Sequence, residues 1–240
     1  MCVQMAGLCW ISVLLAVSLS IGDCEPLDIG YVKRIDARIH EIYKYGGKQY
    51  SVAVNIPEDP QTTKELKGLI LPVDWVDANT FLEAGQVYKG NNAVVAIPQG
   101  EEPYTEHAEK QVLDNLGELA NIREGYILVL YSWLSPCGQC TEEGGNFNIL
   151  NKIEELKNRG KSFALVFNTV YAWKEDNNGK KKDIPEADIK NTFHSLRQVI
   201  VDDNIFRCYK PNNRVFQCFK CFVDASPEAD PVDECVKIQE

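Results

Sequence analysis

Three residues of the types that bind soft divalent metals stand at telling intervals in this chain: His107, Cys137 and Cys140. Cys137 and Cys140 lie three apart, so on a helical turn both sulfurs fall on one face. Pro136 before them can occupy a helix's first turn, where its missing N–H costs nothing. Unpaired N–H groups and the helix dipole at such a start favour thiolate over thiol, and thiolate is the form that binds metal or attacks. His107 can add a neutral imidazole nitrogen. Two thiolates and one imidazole balance the charge of a tetrahedral Zn²⁺ and leave it one position open for water. Zinc lowers the pKa of such a water until it is a nucleophile near neutral pH. Glu109, two residues from His107 and not itself a ligand, can accept and return the proton.

These residues need elements to position them. Residues 127–133 are continuously apolar or aromatic, bounded by Gly125 and Pro136, which suits a central strand covered on both faces. Chemistry then sits at its C-terminal end. After Pro103 a helix is expected, with Thr105 as N-cap and Ala108, Val112, Leu116 and Leu119 on one face. Two helix starts facing one another across the strand end would gather the imidazole and both thiols. Earlier, Val32, Ile35, Ile39 and Ile42 form one face of a helix over 29–45, ended by Gly46-Gly47. Tyr50, Val52, Val54 and Ile56 alternate as a half-buried strand closed by Pro57, and 93–97 is a second strand. The interval 58–92 is too long for a hairpin loop and too apolar around 69–75 for simple disorder, so it reads as a packed insertion. Downstream come a helix over 140–160 weakened by Gly144-Gly145, a strand 162–167, a helix 186–201, and a strand pair 206–210 and 215–222 joined by a turn at Pro211-Asn212-Asn213.

His107-Ala108-Glu109 and Pro136-Cys137-Gly138-Gln139-Cys140, separated by residues 110–135, follow the pattern H-x-E…P-C-x-x-C, and in them the chain resembles the zinc-dependent cytidine deaminase superfamily. Ser132-Trp133-Leu134-Ser135-Pro136-Cys137 looks like the Ser-Trp-Ser-Pro-Cys of the AID/APOBEC branch with Leu134 inserted. Side chains alternate along a strand, so Leu134 and not Trp133 takes the family tryptophan's place two before the proline. With its leader, the chain looks like a secreted AID/APOBEC-like deaminase. The resemblance implies a three-layer α/β fold with a core over about 49–222: a central mixed five-stranded sheet with helices on both faces. It implies a Zn²⁺ cofactor on His107, Cys137 and Cys140, catalysis by Glu109, and a substrate base whose edges are held by the Ala108 N–H and the Ser135 carbonyl. Val170-Tyr171-Ala172-Trp173 is similar to the branch's aromatic loop, which contacts the nucleotide beside the target, so Tyr171 and Trp173 are substrate-binding candidates. Lys180-Lys181-Lys182 would meet phosphate. Against this stands the ordinary expectation that such aromatics pack on their own domain and that lysines beside Glu175, Asp176 and Asp183 form a solvated tip. The implied activity is hydrolytic deamination of a cytosine-type base in a nucleotide or in single-stranded nucleic acid.

Residues 1–22 read as a secretory signal peptide, with an apolar run over 8–17 too short to span a bilayer, then small residues at Ser18, Ser20 and Gly22. No Lys or Arg precedes the run. No later stretch is long and apolar enough to cross a membrane, so the expected product is a secreted, extracellular single domain, 23–240, with an irregular acidic tail over 224–240. A net charge of −10 disfavours loose, salt-driven adhesion to nucleic acid or anionic membrane and leaves room for a local basic contact only. Of nine cysteines, Cys2 and Cys9 fall in the leader, and secretion makes disulfides the default for the rest outside the metal motif. Cys218-Phe219-Lys220-Cys221 has no nearby His and reads as disulfide partners for Cys208, Cys235 or Cys24, with Cys235 tethering the tail. His40 reads as a solvated helix residue and His194 as structural or solvated.

Three other functions fit some of these residues. One is deamination of a free nucleoside or of another amino-base. A second is a secreted zinc-stabilised binding protein without turnover. The third is a thioredoxin-type oxidoreductase built on Cys137-Gly138-Gln139-Cys140, which leaves His107-Ala108-Glu109 unexplained. Oligomeric state is not legible in the sequence.

Overall fold

The computed structural model describes residues 27–43, 48–58, 63–70, 75–100, 105–122, 124–175, 179–211 and 215–238. The leader, Cys24, the Gly46-Gly47 helix end and Asn212-Asn213 lie outside them. In chain order the elements are α1 (Ile29–Ile42), β1 (Ser51–Pro57), α2 (Thr63–Ile70), α3 (Trp75–Glu83), β2 (Tyr88–Lys89), β3 (Ala93–Ala96), α4 (Ala108–Asp114), β4 (Tyr126–Leu134), α5 (Gly138–Thr141), α6 (Leu150–Asn158), β5 (Ser162–Thr169), β6 (Trp173–Glu175), β7 (Lys181–Asp183), α7 (Glu186–Val199), β8 (Ile205–Tyr209), β9 (Gln217–Lys220) and α8 (Asp233–Val236).

The main sheet runs β2-β3-β1-β4-β5-β8-β9, with β6 and β7 as a separate hairpin. β4 pairs antiparallel with β1 and parallel with β5, and β5 pairs parallel with β8, so the sheet is mixed, as expected. It has seven strands and not five. The additions are the two edges: β2, two residues long, on β3, and β9 on β8. Strand alternation sorts the apolar residues into two cores. Leu128 and Leu130 of β4 join Val112, Ile153 and Phe193 on the face covered by α4, α6 and α7. Ile127, Val129 and Tyr131 join Ile35, Ile39, Leu66 and Leu82 on the face covered by α1, α2 and α3. The insertion is therefore a pair of short helices and an edge strand packed on the sheet.

Helix boundaries differ from expectation at several points; α4 ends at Asp114, so Leu116 and Leu119 lie beyond it, and two other differences have identifiable reasons. The helix expected over 140–160 is two elements, because Gly144 takes φ +70° and Asn148 side-chain bonds to Glu142 O, Leu150 N and Asn151 N rebuild the chain before α6. The helix expected to cap at Thr105 begins at Ala108, with His107 in the cap position. Reciprocal backbone bonds between Gln99 and Glu106 keep that stretch extended until His107.

The two disulfides among the described residues lie near the C-terminus and use expected cysteines. Cys208 and Cys218 face each other directly across β8 and β9, with Cα atoms 4.0 Å apart. Cys221 and Cys235 close the 14-residue interval that carries the tail. Arg207, buried, donates to the carbonyls of Glu234, Lys237 and Asn168, while Arg197 pairs with Asp203 and reaches the Ser226 and Asp224 carbonyls. His194 meets Asp230 at 3.1 Å and so helps fasten the tail to α7. His40 departs from its reading: half-buried, it stacks on Trp133.

One buried carboxyl sits in the α1 layer. Asp36 is fully buried, and neither carboxylate oxygen has a hydrogen-bond partner among the described residues. Burial pushes its carboxyl well above the usual range. The folded chain therefore holds this proton more tightly than the unfolded chain. Its stabilising contribution is complete below the unfolded pKa and is lost as pH rises through the folded value. Asp36→Asn should raise the melting midpoint by a few degrees at mildly alkaline pH, since about 1 kcal/mol moves a chain of this size by roughly 2–4 °C. The gain should vanish near the ordinary carboxylate pKa of about 3.9. Thermal melts across pH would show equal midpoints throughout if Asp36 carried no such penalty.

Candidate active site

The C-terminal end of β4 and the starts of α4 and α5 meet on one face of the sheet. Gln111 anchors α4 there, its side-chain amide donating to the carbonyls of Ile97 and Glu106. Cys137 is extended at φ −92° and ψ 173° and caps α5, so Pro136 precedes the helix and does not enter its first turn. The turn is closed by Cys140 N–H to Cys137 O at 2.9 Å. His107 and both cysteines are thereby brought together. His107 Nδ1 lies 3.2 Å from Cys140 Sγ and 3.6 Å from Cys137 Sγ, and the sulfurs are 3.4 Å apart. Zn–S bonds of about 2.3 Å and a Zn–N bond of about 2.0–2.1 Å at tetrahedral angles would need edges of about 3.6–3.8 Å. The triangle fits a metal after movements of a few tenths of an ångström. His107, Cys137 and Cys140 are the metal-capable group among the described residues. Phe147 stacks on the His107 ring at 4.8 Å and 10°, fixing its plane.

Both thiols are free. They perturb each other: the hydrogen bond between them lowers Cys137 to about 4, and the same bond together with burial raises Cys140. A bound cation would displace the thiol protons and take both sulfurs as thiolates.

Glu109, in the first turn of α4, is buried beside this triangle. Burial pushes its carboxyl up, and the hydrogen bond from Ser132 opposes that shift. Ser132 Oγ donates to Glu109 Oε1 at 2.6 Å, and Gln49 Nε2 donates to the same oxygen at 2.9 Å. Neither donor belongs to the spacing pattern that marks Glu109. Gln49 lies 60 residues away in sequence, and only the pairing of β1 with β4 brings it close.

The substrate-binding candidates fall in different settings. Ala108 opens α4, where the first N–H groups lack intrahelical acceptors. Ser135 is buried; its N–H donates to Thr169 O and its Oγ accepts from Tyr171 N–H, so it ties the β4 exit to the aromatic loop. Along that loop Val170 and Ala172 enter the core, while Tyr171 is half-buried and Trp173, 42% exposed, opens the β6–β7 hairpin. Lys181 stands over the Trp173 ring at 3.8 Å, so one face of the indole is already covered. Lys180 and Lys182 are exposed. Trp133 turns to the other face of β4, against Tyr50, as the extra residue before Ser135 requires.

A family model for Secreted Novel AID/APOBEC-like Deaminase 1 matches residues 34–237, which takes in every element from β1 to α8. The chain belongs to this deaminase family. No curated protein matches it. Among solved structures it is similar to Rib2 deaminase of Aspergillus oryzae, a C-terminal deletion mutant crystallised at pH 6.5. That similarity has 14% identity over 59% of this chain and 74% of the other, with a TM-score of 0.31. The family's name describes secreted proteins, and two disulfides are compatible with an extracellular setting. No helix among the described residues is long and apolar enough to cross a membrane.

Proposed function

We propose that the protein is a secreted, zinc-dependent hydrolytic deaminase of cytosine-type bases, acting on single-stranded nucleic acid in preference to free nucleoside. The observation that carries this reading is the imidazole–dithiol triangle beside the buried Glu109 carboxyl. His107, Cys137 and Cys140 would hold Zn²⁺, which supplies the Lewis acidity that makes water a nucleophile near neutral pH. Glu109 takes one proton as water adds to C4 of the base and passes it to the ring nitrogen, then takes the proton remaining on the added hydroxyl and gives it to the departing amine. The C–N bond breaks, ammonia leaves, and oxygen from water stays on the ring. A carboxyl pushed up by burial suits both halves of that work, accepting and giving. The Ala108 N–H and the Ser135 carbonyl would hold the base edges, and 23–240 would form one domain.

The preference for a strand over a nucleoside rests on the β6–β7 hairpin and the loop before it. Base stacking on an aromatic contributes about 1–3 kcal/mol per base, and Tyr171 with the uncovered face of Trp173 can supply it. Lys180 and Lys182 supply local cations on a chain of net charge −10, so binding should be modest and weakened by salt. The test is ammonia release by the purified protein from cytidine, deoxycytidine and single-stranded RNA and DNA oligonucleotides. Turnover should favour an oligonucleotide, and Tyr171→Ala or Trp173→Ala should change the flanking-base preference more than the zinc content. Efficient turnover of free cytidine with none on any oligonucleotide would overturn the preference. No turnover on the whole panel, with adenine and guanine counterparts included, would overturn the enzyme reading.

A further inference from the structure

We propose that Gln49 is a positioning residue for this reaction, holding the Glu109 carboxylate in a single rotation against the exit of β4. The proposal rests on the deaminase reading above.

The antiparallel register pairs Ser51 with Ser132, and the ladder continues through Trp133 N–H to Tyr50 O at 3.0 Å. Gln49 therefore lies opposite Leu134, and side chains 49, 51 and 132 share the sheet face that looks toward the start of α4. Leu134 N–H donates to Gln49 Oε1 at 2.8 Å. That bond decides which end of the amide faces Glu109, because the oxygen is already used and the NH₂ group must point inward. Nε2 then donates to Glu109 Oε1 at 2.9 Å and to Ser132 Oγ at 3.0 Å.

Ser132 locks the arrangement. Its hydroxyl accepts from Ser51 Oγ at 3.0 Å and from Gln49, and its one proton goes to Glu109 Oε1 at 2.6 Å. A hydroxyl has one donor and two acceptor sites, so Ser132 is saturated and cannot reverse its direction. Glu109 Oε1 in turn receives two donors, one for each lone pair. Rotating the carboxylate would break both bonds in a buried site. Neither Gln49 nor Ser132 engages Oε2, and a proton carrier fixed through Oε1 does not have to be reoriented between accepting and delivering.

The experiment uses the full zinc-loaded chain with Gln49→Glu and Gln49→Leu. The first keeps the shape and the acceptor for Leu134 N–H while replacing the donor to Glu109 by an acceptor; the second keeps bulk and removes both functions. Each should lower kcat by about 10- to 100-fold, the usual cost of losing a supporting hydrogen bond of this kind, with KM and bound zinc unchanged. Independently of activity, Gln49→Leu should lower the melting midpoint more in the parent chain than in a Glu109→Ala background: loss of the Leu134 N–H acceptor and of the Ser132 contact is common to both, whereas only the parent has a carboxylate that loses a donor. Unchanged kcat in both variants, or an equal loss of midpoint in both backgrounds, would overturn the proposal. A parent chain inactive on every substrate would instead sink the deaminase reading, and the melting cycle would then decide by itself whether Gln49 holds Glu109.

Discussion

Replacing His107, Cys137 or Cys140 with Ala should remove about one bound Zn²⁺ per chain and much of the stability with it. Each residue supplies one corner of a triangle whose edges, 3.2 to 3.6 Å, already approach those of a tetrahedral site. Deleting a corner leaves two ligands and, for a cysteine variant, one thiolate against a divalent charge. Structural zinc typically contributes about 10 kcal/mol or more in apparent binding energy that is also folding energy, so even a partial loss exceeds what a surface substitution does. Elemental analysis and thermal melts with and without chelator would measure both effects. A native protein that contains no metal and has Cys137 bonded to Cys140 would sink the zinc reading and revive the dithiol oxidoreductase.

Glu109→Gln should separate chemistry from construction of the site. The amide keeps the volume of the carboxyl and an oxygen for the Ser132 and Gln49 donors, so zinc content and melting midpoint should stay near those of the parent. It cannot carry a proton from water to the ring, and general acid–base groups contribute about 10²–10⁴-fold to rate. Turnover should therefore fall by about a hundredfold or more. Retained activity in a variant shown to bind zinc would remove Glu109 from the mechanism.

Much of this site was legible in the sequence because its key residues are local. His107 and Glu109 share one turn of chain, and Cys137 and Cys140 share another, so short spacings carry the information. The central strand was legible too, since a run buried on both faces needs no partner to announce itself. What the sequence did not disclose depends on pairing across the fold. Gln49 has no motif; its place follows from a β1–β4 register that pairs residues 81 positions apart, Ser51 and Ser132. The start of α4 was misjudged because Thr105 is a good cap by type, whereas the bridge from Gln99 to Glu106 decides the matter. Residues 58–92 show no clean periodicity because their helices are only eight and nine residues long, with Leu66, Ile70, Ala78 and Leu82 buried among the described side chains. Of the two edge strands, β9 falls within the strand expected over 215–222 although the five-strand sheet did not include it, whereas β2 is two residues long, below the length at which alternation can be read.

Those same edges bear on how the protein behaves in concentrated solution. A sheet edge is a row of unused N–H and C=O groups on which another chain can grow, and proteins guard against that by keeping edges short or covered. At one border β2 offers only Tyr88 and Lys89. At the other, β9 is stapled to β8 by Cys208–Cys218, and immediately beyond it the chain folds back, with Cys221 N–H on Ile205 O and Val232 N–H on Cys221 O, under the Cys221–Cys235 clamp. Neither border presents a long, flat template. Together with the mutual repulsion of molecules each carrying −10 charges, this gives a seven-stranded sheet that resists self-templated aggregation.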